Sequence, residues 1–382
     1  MKIAQLVLKD LNTDLDTLSS LTTIEPQLIL VFGCIAHFEA PALNTKLLQY
    51  FPNAQRVGCT TAGEISNSGV GDHTTVVTAI RFSNTQFTVA TAPIDSMEKS
   101  YDAGKTLAEQ LHSENLGAVL VLGQGVNING SAMIEGMVSA LGNSLPITGG
   151  LAADAGAFVK TYTLSNAGVS TSNLVGIGFS GEKLIFSHGS FGGWKPFGPT
   201  RKVTRCVGNI LYELDGEPAL EVYKRYLGDY AKDLPGSGLL FPFEMLSDGR
   251  ESLGQIRTIL GVNETDGSLV LAGEINPEGY LRLMHAHTND LVDGAETAAN
   301  AILDGASARD GQALALLVSC VGRKLVMGGR VDEEVEAVQE ILGEGTALCG
   351  FYSNGEICPG YRLEACSLHN QTMTITYLAE SM

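Results

Sequence analysis

Two stretches decide how this chain folds: GCTTAGEIS at residues 58–66 and GFYSNGEI at residues 350–357, which share the pattern G-x-x-x-x-G-E-I across almost the whole length of the sequence. Each is preceded by the same grammar. LILVFGC (28–34) and ALALLVSC (313–320) read as buried strands. A helix-like stretch follows each: Leu43, Leu47 and Leu48 in the first copy, and EEVEAVQEILGEG, with Val335, Val338 and Leu342 at helical spacing, in the second. Each glycine loop then leads into an alternating strand, TTVVTAIRF (74–82) or HNQTMTITYL (369–378). A third relative runs AVLVLGQG (118–125), SAMIEGMVSALG (131–142), PITGGLAADAG (146–156), and lacks the glutamate.

A strand-helix-strand unit needs a crossover that covers the sheet. The expected class is therefore α/β, with two lobes built from repeated units, mixed sheets and antiparallel flanking strands. At 382 residues two domains are the natural division. Residues 1–24 read as an N-terminal extension, 25–210 as one domain and 211–382 as the other. The boundary falls near Gly208 to Asp215, where GNILYELDGEPALEVYKRYLGDY predicts a strand, a turn at Gly216 and an amphipathic helix carrying Leu220, Tyr223 and Leu227.

A net charge of −18 disfavours nucleic acid and anionic membrane partners, because both are held by lysine and arginine. The first residues show no signal-peptide pattern, so a cytoplasmic location is expected. The uncharged run 115–134 contains four glycines and three asparagines, which favours a buried strand and loop over a membrane span. Seven cysteines without a C-x-x-C pair fit reduced thiols. The G-x-G-x-x-G at Gly176, Gly178 and Gly181 is followed by a strand-like run, not the helix a dinucleotide site requires. No P-loop, H-E-x-x-H or G-x-S-x-G motif is present, and the chain is read as a non-enzyme.

Candidate ligand contacts follow from the repeats. Glu64 and Glu356 either cap backbone amides in their turns or meet a cationic ligand group. Cys34 and Cys320 end matching strands, and with Cys59 they are the nucleophiles of an alternative thiol-enzyme reading. Asn370 opens a strand with Gln371 and Thr372, as part of an edge network or a ligand contact. Arg323, just after SCVG, is the cation best suited to a ligand carboxylate, with plain surface solvation as the competing account.

GCTTAGEIS, FGGWKPFGPTRKVTRCVGNILYELDGEPALEVYKRYLG (191–228), SCVGRKLVMGGR (319–330), GFYSNGEICPG and LHNQTMTITYL resemble, in order, the FIST N and FIST C domains over roughly residues 25–375. That resemblance assigns 25–210 to FIST N and 211–382 to FIST C. It implies a cytoplasmic sensor of small ligands such as amino acids. A two-domain chain of this size also resembles the bacterial nitric-oxide-sensing NosP proteins, which implies haem b and a partner histidine kinase or cyclic-di-GMP enzyme. The residues offer two axial candidates for such a haem, which are also its candidate metal ligands. His285 follows the apolar alternation of LRLMHAH, and His188 precedes the aromatic residues Phe191, Trp194 and Phe197, which would wall the porphyrin. For both histidines a buried, hydrogen-bonded core role is the competing account.

Overall fold

The computed structural model describes residues 1–303, 311–360 and 366–382. The repeat extends further than its two glutamate-bearing copies. Each of three units runs strand, helix, strand, helix, strand, hairpin, strand. The first occupies residues 2–81, with strands Lys2–Leu8, Leu28–Gly33, Gln55–Thr60 and Thr75–Arg81. The second occupies 86–180, with Gln86–Pro93, Leu116–Gly123, Ile147–Leu151 and Asn173–Ser180. The third has Leu184–Phe191, Ala313–Cys320, Thr346–Ser353 and Met373–Glu380, and carries an insertion between its first strand and its first helix, Thr288–Leu303.

Within each unit the two middle strands pair in parallel, because the helical crossover between them returns the chain to the same end of the sheet. The outer strands join antiparallel. Each sheet reaches six strands only by accepting a hairpin from another unit. The first takes Thr163–Ser165 and Gly168–Ser170 from the second unit, the second takes Gly355–Pro359 and Cys366–His369 from the third, and the third takes Glu64–Ser66 and Gly69–Gly71 from the first. The exchange is cyclic.

One apolar cluster joins the inner faces of all three sheets, with Leu28, Leu30 and Phe32 meeting Leu120, Leu122, Ile177, Leu314, Leu316 and Phe351. Phe32 and Phe351 stack with ring centroids 4.8 Å apart. Helices cover the outer faces. The insertion, from Lys195 to His285, forms the second, smaller lobe. It is a nine-stranded sheet wrapped on the predicted helix Ala219–Leu227, with Leu220, Tyr223 and Leu227 buried in its own core. The class is thus α/β with mixed sheets and antiparallel flanking strands, in two lobes, and all three repeated units share the larger lobe. The uncharged run 115–134 is strand, loop and the start of helix Gly130–Leu141. Among the described residues no helix is long and apolar enough to cross a membrane.

Gly58, Gly149 and Gly350 hold equivalent places in the three parallel pairs. A Cβ on any of them would sit 1.9 Å from the carbonyl oxygen of its neighbour, Val31, Val121 or Leu317. Backbone cannot yield there as a flexible side chain would. Gly350→Ala is therefore expected to lower stability by about 2–3 kcal/mol, read from urea denaturation, whereas alanine at exposed Gly329, which has no heavy atom within 4 Å of the added Cβ, leaves the midpoint nearly unchanged.

Candidate ligand cleft between the lobes

The repeated glutamates end up as corner clamps. Glu64 is buried and accepts from Thr61 Oγ1, from Thr74 N at 3.1 Å and from Thr74 Oγ1 at 2.7 Å. Glu356 is buried and accepts from Ser353 Oγ at 2.7 Å and from Thr372 N and Oγ1, both at 3.0 Å. Each ties the start of its hairpin to the start of its unit's last strand. The residue before each threonine, His73 or Gln371, takes a left-handed φ of 59° or 65°. In the second unit Thr163 stands in the glutamate's place, and its hydroxyl donates to Asn173 O at 2.9 Å. The equivalence was legible in ISNSG (65–69) and LSNAG (164–168). Of the two accounts of these carboxylates, capping describes their partners. Burial raises the pKa of both, and that of Glu356 reaches about 7.

The remaining candidates disperse. Cys34 and Cys320 sit at helix N-caps near these carboxylates. Burial first, and the adjacent Glu64 or Glu356 second in effect for Cys320, push both thiols up. The other five thiols, Cys59 included, are raised by burial too. A thiol nucleophile needs the opposite shift.

Arg323, read from the sequence as a ligand cation, is 0% exposed. It meets Glu334 Oε2 through Nε at 3.2 Å and Nη2 at 2.6 Å, and its remaining donors go to Gly192 O and Leu291 O. Glu334 in turn accepts from Ser319 Oγ and Tyr352 OH. That ion pair satisfies the guanidinium and binds two helices together, which corrects the expectation of a free fork. Asn370 is buried, and its Oδ1 has no hydrogen-bond partner among the described residues.

The residues singled out for haem do not fit one. The His285 ring lies 5.9 Å from Phe197 and 5.5 Å from His287, at the end of strand Tyr280–His285. His188 is half-buried on another sheet, with Nδ1 3.7 Å from Cys358 Sγ, and burial lowers its pKa. Trp194 is packed among Met284, Leu291 and Met327, and its Nε1 donates to Gln371 O at 2.8 Å. Phe191 and Phe197 are 41% and 39% exposed. These rings do not wall one space.

A different place has the form of a ligand site. Two adjoining cavities of about 340 and 380 Å³ lie between the lobes and share Glu274 and Leu368. The first is bounded by the glycine-rich loop 125–130 and Asn354 on the larger lobe, and by Asn209 and Ala272 on the smaller. The second is bounded by Ser131, Ile134 and Glu135 of helix Gly130–Leu141, by Ser367, and by Gln255 and Arg257 of strand Ser252–Arg257. Volumes of this order suit small-molecule sites.

Arg257 is 4% exposed. Its Nε donates to Glu274 O at 3.0 Å, its Nη1 to Ile256 O at 3.2 Å and Leu368 O at 3.4 Å, and its Nη2 to Gln255 Oε1 at 3.3 Å. Every partner is a neutral carbonyl oxygen, and among the described residues no carboxylate lies within ion-pair distance. Burial pushes its pKa down to about 10. Gly273 lets the guanidinium lie on the backbone, since a Cβ there would meet Nε at 2.8 Å. Nothing in QIRTIL marked this arginine. The loop GQGVNING (123–130), rich in glycine and asparagine after a strand, was the visible signal of the cleft.

Residues 27–217 match the FIST N domain and 219–359 the FIST C domain, and the chain belongs to the FIST family. FIST domains are associated with small-ligand sensing in signalling. An uncharacterized protein of Methanocaldococcus jannaschii is 37% identical over 89 residues, covering 23% of this chain and 17% of that one. Uncharacterized proteins of Mycobacterium bovis and Mycobacterium tuberculosis are each 29% identical over 226 residues, covering 56% of this chain and 55% of theirs. The chain thus spans about half the length of the mycobacterial relatives it matches, and less of the archaeal one. Among solved structures, a cyanuric acid hydrolase from A. caulinodans aligns with a TM-score of 0.42 at 9% identity, over 100% of this chain and 99% of that one. A further cyanuric acid hydrolase aligns at 0.37 with 10% identity, over 99% of each.

The buried clamp makes stability pH-dependent. The folded chain holds Glu356's proton up to about pH 7, while an ordinary glutamate releases it near 4.5. The contribution is therefore full below the lower value and is lost as pH rises through the upper one. Between about pH 5 and pH 8, Glu356→Gln should gain on the wild type by on the order of 2–3 kcal/mol, measured by urea denaturation at both values.

Proposed function

We propose that this chain is a small-ligand sensor that holds a carboxylate-bearing molecule of amino-acid size in the cleft between its lobes. The observation that carries this reading is Arg257, a guanidinium almost wholly withdrawn from water, beside a cavity of about 380 Å³, hydrogen-bonded only to carbonyl oxygens and without an ion pair among the described residues, the exposed Glu274 acting on it only through space. Burying a cation without an anion is costly, and a planar guanidinium grips a carboxylate through two parallel bonds. A ligand carboxylate supplies the missing charge. In this reading Arg257 takes the part that the sequence offered to Arg323, and Glu64 and Glu356 stay with the architecture.

The cleft joins the two lobes, so an occupant changes how firmly they are held. Arg257 already reaches Leu368 O at 3.4 Å, the longest of its bonds. A carboxylate that draws the guanidinium away loosens the smaller lobe's hold on the hairpin Cys366–His369. A separate signalling protein, such as a histidine kinase or cyclic-di-GMP enzyme, would read that change. The haem-borne reading would need an imidazole opening on an apolar space, and neither His285 nor His188 lines either cleft cavity.

Isothermal titration of the intact chain against single free amino acids tests the proposal. Binding is expected for the wild type, and Arg257→Met should weaken it by about 10- to 100-fold, the worth of a charge-assisted bond, while keeping a cooperative thermal melt. Equal binding by the variant would refute the assignment.

A further inference from the structure

The charges around the second cavity do not cancel, and their imbalance names a ligand class. Arg257 contributes one positive charge, and Glu135 and Glu274 contribute two negative ones. Both glutamates are exposed, and among the described residues neither takes part in an ion pair. The remaining polar lining, Ser131, Gln255, Asn276 and Ser367, is neutral. The apolar part of the lining includes Ile134, Met245, Leu253 and Ile275.

A neutral amino acid satisfies Arg257 and one glutamate and leaves the other unmatched. An acidic one adds a further negative charge. A diamine matches the two glutamates but presses a cation towards Arg257. A basic amino acid has one carboxylate, two cationic groups and a methylene stem, which lies along apolar surface while its charged head stays polar. From this complementarity we infer that the ligand of the cleft is a basic amino acid. Its carboxylate lies on Arg257, its α-ammonium and side-chain cation are shared between Glu135 and Glu274, and its stem rests against Ile134, Met245 and Ile275. The chain's net charge of −18 favours the approach of a cation as well. The inference rests on the cleft reading above and sharpens it.

The test is isothermal titration of the intact chain with L-lysine, L-norleucine, L-glutamate and cadaverine. L-norleucine has the stem without the distal cation, and cadaverine has the cations without the carboxylate. L-lysine is expected to bind at least about tenfold tighter than each of the others, the size of one charge-assisted contact. Glu135→Gln with Glu274→Gln should bring L-lysine to within about threefold of L-norleucine, because L-lysine loses two cationic contacts and L-norleucine only the one to its α-ammonium, and should leave the thermal melt as in the wild type. If L-norleucine or L-glutamate binds as tightly as L-lysine, or the double variant keeps the full preference, the basic-ligand assignment fails while the carboxylate cleft stands. If cadaverine binds as well as L-lysine and Arg257→Met changes nothing, the carboxylate reading fails with it. If none of the four binds, both fail.

Discussion

Every sheet in the larger lobe is completed by a hairpin that covalently belongs to another unit, and the rest of the molecule is arranged around that exchange. A strand edge left open is a row of unpaired amides and carbonyls. Here the edge of Gln55–Thr60 is closed by Thr163 and Leu164, that of Ile147–Leu151 by Gly355 to Ile357, and that of Thr346–Ser353 by Glu64 to Ser66. The loops leading into these hairpins are stitched by backbone bonds as well. Ala62 N donates to Tyr352 O and Tyr352 N to Gly63 O, both at 2.9 Å, while Ala153 N reaches Thr60 O at 2.8 Å and Asn354 N reaches Leu151 O at 3.2 Å. No unit can finish its own sheet. The larger lobe's strand edges are therefore satisfied together or not at all, and the close backbone approach at Gly58, Gly149 and Gly350 lies next to those joints.

Buried charge is handled in three distinct ways, and the contrast gives Arg257 its meaning. Glu64 and Glu356 are compensated by amides and hydroxyls, and burial moves them towards the neutral form. Arg323 and Glu334 are compensated by each other, and removing one partner of such a pair costs about 3–5 kcal/mol. Arg257 hydrogen-bonds only to carbonyl oxygens, and burial, opposed by the nearby Glu274 carboxylate, leaves it charged at a depressed pKa of about 10. Arg56 is as buried as Arg257 and also lacks an ion pair among the described residues, but Arg257 lines the cleft, and a guanidinium facing a cavity is open to a charge supplied from outside.

Local order was legible in the sequence, and partnership was not. G-x-x-x-x-G-E-I announced the first and third units because glycine at a close approach and a capping glutamate are both local requirements. AVLVLGQG and PITGGLAADAG announced the second for the same reason. The hairpin exchange left no trace, since Thr163 and Gly168 read alike whether their hairpin joins its own sheet or a neighbour's. Arg323 looked free because Glu334, its partner, sits eleven residues on, in the next helix. Arg257 looked like any polar residue of an alternating strand, because the groups packed on it come from elsewhere in the chain, Gly273 and Glu274 in the next connection and Leu368 more than a hundred residues away. In LRLMHAH the alternation put Leu281 and Leu283 on one face, which lies in the smaller lobe's core, but the strand ends at His285, where the pattern stops governing what lies beneath.

The three units are not equivalent, and the one that departs most is the one that meets the cleft. In the first and third, a helix begins within two residues of the strand's end, at Ile35 after Gly33 and at Val321 after Cys320. In the second, the strand ends at Gly123 and the helix waits until Gly130, so the intervening loop bulges towards the smaller lobe. The same unit has Thr163 where the others have a clamping glutamate. Its sheet accepts the third unit's hairpin, and the insertion carrying Arg257 also belongs to the third unit. The cleft is thus walled by the second unit on one side and by two separate parts of the third on the other. A ligand bound there sits across the joint between them, so its charge acts on the hairpin exchange that completes the second sheet rather than on a single loop.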